Sequence, residues 1–213
     1  MARKRAKVMK NDLEELFGSK ERWRLIKLFV LNDSTSYSLK DIVARNKMDW
    51  RKVRSIMLQL KKAKLIKEST RRNKKFYSVN PDFPFFSELK KLVVKSNIYP
   101  QCASLGRIKN LGDVKLGLVT GIFLDDLNVK VDLLIVADHV SNAKMKHLLE
   151  DLEIEVGREI HYSLMTLAEF KYRVNMFDKF ILDLLEGKHE IVVNKIQNEI
   201  RMLKRIKKNN NVF

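Results

Sequence analysis

Between positions 51 and 75 the chain gathers side chains suited to reading a nucleic acid. Arg51, Lys52, Arg54, Ser55 and Gln59 fall close together, and Arg71, Arg72, Lys74 and Lys75 follow. Arginine forks onto the edge of guanine, glutamine does the same to adenine, and lysine and serine bond phosphate oxygens. Other chemistry is poorly supplied. His139, His147, His161 and His189 are scattered, without metal-ligand spacing. Cys102 has no evident base partner and reads as a small buried residue. The glycine-rich phosphate loops and the strained serine turn of hydrolases do not occur. No catalytic residue, metal or cofactor is expected.

These cations need elements to aim them. Val53, Ile56, Met57 and Leu60 recur at helical spacing, which predicts a helix over about 50–63, capped by Asp49. Burying that face turns Arg51, Lys52, Arg54, Ser55, Gln59 and Lys62 outward or to the flank. Upstream, Ser38 caps a predicted helix 39–46, and Ser19 one of about 20–31 that Asn32-Asp33-Ser34 breaks. A short helix 12–17 ends at Gly18. Leu65-Ile66 and Phe76–Val79 read as strands joined through 69–74. Helices followed by a two-stranded ribbon are the order of a winged helix-turn-helix, whose recognition helix enters the major groove. The basic hairpin tip would then lie along phosphates or reach a minor groove.

The charge distribution agrees. Residues 1–80 carry a net charge of +15 out of the total of +17. One-sided cation density is the electrostatic footprint of a polyanion-binding surface. RNA recognition would call for aromatic stacking platforms, and Trp50 is the sole aromatic on this surface. It is as well placed to pack at the helix start as to touch nucleic acid. The basic N-terminus is not followed by an apolar stretch of the signal-peptide kind, and no apolar run is long enough to span a bilayer. A single cysteine fits a reducing cytoplasm, the expected location.

Residues 12–80 resemble winged-helix transcriptional regulators of the ArsR and MarR type, on the segments SLKDIVARNKMDWRKVRSIMLQLKKAKLIKE and RRNKKFYSVNPDFP. The resemblance implies a DNA-binding regulator acting as a homodimer. Past the stiff Asn80–Pro84 boundary, Phe86, Leu89, Val93 and Val94 stripe a helix of about 85–97, read as a connector or dimer helix. A further helix is expected over 98–111.

The second half alternates strands (114–120, 129–137, 160–165, 190–193) with helices (142–156, 167–173, 176–186), and closes on a basic helix 195–208. Phe170, Val174, Phe177, Ile181 and Leu184 form a stripe expected in the core. The segment LVTGIFLDDLNVKVDLLIV resembles the minimal polymerase-β-type nucleotidyltransferases, with EVGREIHYSLMTLAEFKYR as weaker support. In that family a Gly-Ser pair cradles a triphosphate, and an Asp-x-Asp pair on the next strand holds Mg²⁺. Here Gly121 is followed by Ile122, Lys130 stands at the first carboxylate position, and only Asp132 remains. Glu159 is a poor third ligand, while Asp125 and Asp126 read as solvated turn residues. The resemblance therefore implies a vestigial nucleotide pocket, Gly121, Lys130 and Asp132, on a fold without catalysis.

The expected molecule is α+β. A basic arm (1–11) precedes a winged-helix domain (12–80) and a connector helix (81–99). A nucleotidyltransferase-like domain with a small mixed sheet (100–193) and a basic C-terminal helix and tail (194–213) complete it. The expected partners are double-stranded DNA, a second copy and a further protein, with no membrane. The second domain would serve dimerisation, ligand sensing or partner contact. Two alternatives stand beside this reading: an active nucleotidyltransferase modifying a nucleic acid or protein, and an antitoxin-like interaction module.

Overall fold

Helix caps delimit the N-terminal half of the computed structural model, which describes residues 12–96, 102–126 and 129–196. The expected basic arm and most of the expected C-terminal helix lie outside the described residues. After a short helix α1 (12–16), Ser19 opens α2 (Lys20–Leu31), its hydroxyl accepting the Arg22 N–H at 3.1 Å. Tyr37–Ser38 forms β1. Ser38 then caps α3 (Leu39–Asn46) through a reciprocal box in which Asp41 returns a bond to the Ser38 N–H. Asp49 caps α4 (Trp50–Lys62), accepting the Arg51 and Lys52 N–H groups at 2.9 and 3.2 Å. Such a cap contributes about 1 kcal/mol.

The hairpin after α4 is longer and tighter than the sequence pattern predicts. β2 (Ile66–Arg71) and β3 (Lys74–Val79) pair residue for residue up to Arg71 and Lys74. The expected loop over 69–74 shrinks to Arg72-Asn73, both at positive φ (48° and 59°). Two successive left-handed residues match the right-handed twist of the strands they join. With β1 added outside β3, the sheet order is β1-β3-β2.

α5 (Phe86–Ser96) packs rather than connects. Val93 is buried with Trp23, Phe29, Ile42, Val53, Leu60 and Val79, and Phe86, Leu89 and Leu92 pack against the same cluster. The apolar stripe read as a connector is thus part of the first unit's core.

Among the described residues the first unit comprises 12–96 and 102 with 150–159, and the second 103–126, 129–149 and 160–196. Inside the first unit, Gly157 adopts φ +92°, and a Cβ there would lie 2.7 Å from Lys27 Cβ and 2.9 Å from its backbone carbon. Only glycine satisfies both constraints. Asn32 donates to the Gly157 carbonyl at 2.8 Å.

The second unit is built on a four-stranded sheet of β4 (Asp113–Val119), β5 (Leu133–Asp138), β6 (Tyr162–Met165) and β7 (Glu190–Asn194), in the order β6-β5-β4-β7. β4 runs antiparallel to β5 and β7, while β5 and β6 are parallel, so the sheet is mixed. α6 (Asn142–Val156) links β5 to β6, and α7 (Leu167–Asn175) and α8 (Lys179–Glu186) lead to β7. Leu116, Leu118, Leu134, Val136, Phe170, Ile181 and Leu184 share one core.

Several sequence expectations shift here. Residues 129–132 are not strand, and β5 starts at Leu133. The expected helix 98–111 is a 3-10 helix over Ala103–Asn110 within the described residues. α8 starts at Lys179 rather than 176, since Asp178 caps it and Phe177 is left-handed (φ 53°). Phe177 therefore leaves the expected core stripe and is exposed, while Phe170, Ile181 and Leu184 are buried as expected. Lys195 and Ile196 are not helical, and the Lys195 N–H continues the ladder to the Lys115 carbonyl. The chain is a mixed α+β protein. No helix among the described residues is long and apolar enough to cross a membrane.

Candidate nucleic-acid interface

α4 divides cleanly. Val53, Ile56, Met57 and Leu60 are buried, as their spacing predicts. Arg51, Ser55, Leu58 and Lys62 succeed one another at helical intervals on the opposite side, all exposed, with Arg54 and Gln59 flanking them. The Asp49 cap fixes the start of the helix, which is the end a groove-binding helix presents to base edges. Trp50 is half exposed, and the Arg51 guanidinium lies 5.7 Å from its ring centroid. At that distance the indole face attracts and orients the cation.

Leu58 was absent from the predicted set. It is 62% exposed and lies in the middle of the outward stripe. The signal was present, since Leu58 is out of phase with Val53, Ile56, Met57 and Leu60. An apolar side chain so placed suits a thymine methyl.

The hairpin is joined to the C-terminal end of α4. Glu68 on β2 bonds Lys61 of α4 at 2.8 Å and Lys75 of β3 at 2.8 Å, tying helix to hairpin. Hydrogen bonds from Lys61 and then Lys75 hold the Glu68 carboxyl below its ordinary pKa. The same bond raises Lys75, while the positive charge of Arg54 works against that rise, so helix and hairpin cations share one field. Arg71, Arg72 and Lys74 are exposed at the turn.

The nine predicted residues therefore split into two states. Lys52 is engaged by Glu21, whose carboxyl is lowered chiefly by the Lys52 hydrogen bond, and Lys75 is engaged by Glu68. Arg51, Arg54, Arg71, Arg72 and Lys74 have no carboxylate partner among the described residues, and Ser55 and Gln59 are exposed beside them.

The second predicted group has a different geometry. Asp132 is 2% exposed. Its Oδ1 accepts the Ile122 N–H at 2.9 Å and its Oδ2 the His161 N–H at 3.0 Å, with His161 Nδ1 3.5 Å away. Its own N–H and carbonyl bond His161 and Thr120. Gly121 has φ +54°, and a Cβ there would fall 2.2 Å from Asp132 Oδ1. Asp132 thus pins the turn after β4 to the start of β6, and Gly121 makes room for it. Lys130 is exposed. Asp125 is exposed and Asp126 half-buried, its N–H bonding the Gly121 carbonyl. With both Asp132 oxygens receiving N–H donors, a cation there would meet positive dipoles. No group of three or more His, Cys, Asp or Glu suited to a metal occurs among the described residues.

No protein-family model and no curated protein matches the chain. Among solved structures, it matches one concerned with the regulation of DNA binding of Bordetella bronchiseptica BpsR by 6-hydroxynicotinic acid. Identity is 22% over 46% of this chain and 78% of that one, with a TM-score of 0.30. A likeness at that TM-score decides neither fold nor function here.

Proposed function

We propose that the first unit is a winged helix-turn-helix that binds duplex DNA, and that the chain is a transcriptional regulator. The observation that carries this reading is the outward face of α4 together with the hairpin turn. There Arg51, Arg54, Arg71, Arg72 and Lys74 stand exposed, without carboxylate partners among the described residues. Together with Lys62 on the same face, these cations, unpartnered among the described residues, suit a row of phosphates, and α4 presents Gln59, Ser55 and Leu58 for base edges. Arg71, Arg72 and Lys74 would lie on the backbone or in the adjoining minor groove. The second unit is read as noncatalytic, in keeping with a carboxylate at 132 already committed to main-chain donors.

Fluorescence anisotropy with labelled duplex fragments at graded salt tests the reading. The wild type should bind with an affinity that falls steeply as salt rises, with a log–log slope near −0.9 per phosphate neutralised. Reversing Arg51, Arg54, Arg71 and Arg72 to Glu together should abolish binding. Equal, salt-independent binding by both proteins would reject the proposal.

A further inference from the structure

Arg22 and Glu88 line one groove of the first unit, and neither has an ionic partner among the described residues. The groove has a volume of about 530 Å³, and its walls are otherwise mostly apolar, with Phe17, Ile26 and Leu89 among them. Two large side chains stand at its edge almost unburied, Leu16 at 73% and Phe85 at 66% exposure. The neighbouring stretches 1–11 and 97–101 contain no Asp or Glu, so they hold no side-chain carboxylate for Arg22.

We infer that this groove is the seam between two copies of the chain related by a two-fold axis. Arg22 of each copy meets Glu88 of the other, and Leu16 and Phe85 enter the facing groove. A two-fold interface brings residue i onto j and j onto i. A cation and an anion, each unpaired among the described residues and set on the same apolar patch, are then both satisfied by a second copy. A small apolar acid would satisfy Arg22 and crowd Glu88, and a basic peptide would do the reverse. Cross-pairing also sets attraction at the seam of a chain whose net charge of +17 otherwise drives copies apart. The inference specifies where the expected homodimer joins and does not rest on the DNA-binding reading.

Sedimentation equilibrium of the full chain without DNA tests it, so that its failure is separable from failure of the DNA-binding proposal. The wild type should dimerise. Arg22→Glu and Glu88→Arg should each weaken the dimer by about tenfold or more. An equimolar mixture of the two variants should recover it, because the mixed dimer forms one native cross-pair and one with its signs exchanged, and the double variant, with both pairs exchanged, should recover it alone. Leu16→Ser, at a highly exposed position, should weaken the dimer without disturbing the fold, as read by circular dichroism. A monomeric wild type, a dimer indifferent to both charge reversals, or a mixture no tighter than its components would overturn the inference. So would a monomer whose groove is saturated by decanoate.

Discussion

At the residue scale, Leu58 and Arg54 make a useful contrast. Both lie on the outward side of α4, one apolar and one charged. If the face meets duplex DNA, Leu58→Ala should cost roughly 1 kcal/mol at sites carrying a thymine opposite it and leave the salt slope unchanged. Arg54→Ala should reduce the slope by about one and weaken binding across all sequences if Arg54 meets a phosphate. Parallel anisotropy titrations separate the two outcomes. The charged set was legible because helical periodicity alone decides which side of α4 faces out. Asp132 was not legible in the same way. Its partners, the N–H groups of Ile122 and His161, lie 10 and 29 residues away. Local pattern shows a carboxylate beside an apolar run, and only the folded chain shows that its oxygens hold main chain together.

At the element scale, the cap of α3 carries a dependence on pH. The Ser38 hydroxyl, and then the Ser38 N–H, hold the Asp41 carboxyl below its ordinary pKa. A depressed folded-state value means that the stabilisation is complete above the unfolded pKa of about 3.9. It fades as pH falls through the folded-state value. Asp41→Asn should therefore lower the denaturant midpoint near neutrality, and the gap from wild type should close below about pH 4. Denaturant titrations at several pH values would check this. Helices were well marked in sequence because Ser19, Ser38 and Asp49 are strong caps before apolar-periodic runs. The hairpin turn was not, because arginine at Arg72 gives no hint of a left-handed backbone and the strands on either side are polar. β5 misled for the opposite reason: Val129 and Val131 continue its apolar pattern, yet the strand starts only at Leu133. α5 gave its stripe correctly but not its packing partners, since periodicity shows that a face is buried and not against what.

For the whole molecule, the number of basic residues overstates the charge ready to meet DNA. Glu68 already occupies the place between Lys61 and Lys75 that a phosphate oxygen would take, and Glu21 does the same for Lys52. These lysines are neutralised from within, so a phosphate beside them gains little net positive charge and keeps most of its condensed cations. Phosphate binding there would exchange one oxyanion for another, with little gain from released salt. The slope of affinity against salt should accordingly follow the cations without carboxylate partners among the described residues, the arginines with Lys62 and Lys74, rather than the total of cations on the face. Glu68→Gln should steepen that slope by up to about two and tighten nonspecific binding, as measured on duplexes of scrambled sequence. The native carboxylate then acts as a built-in competitor: it holds down attachment to arbitrary DNA and leaves a larger share of the affinity to contacts that depend on sequence.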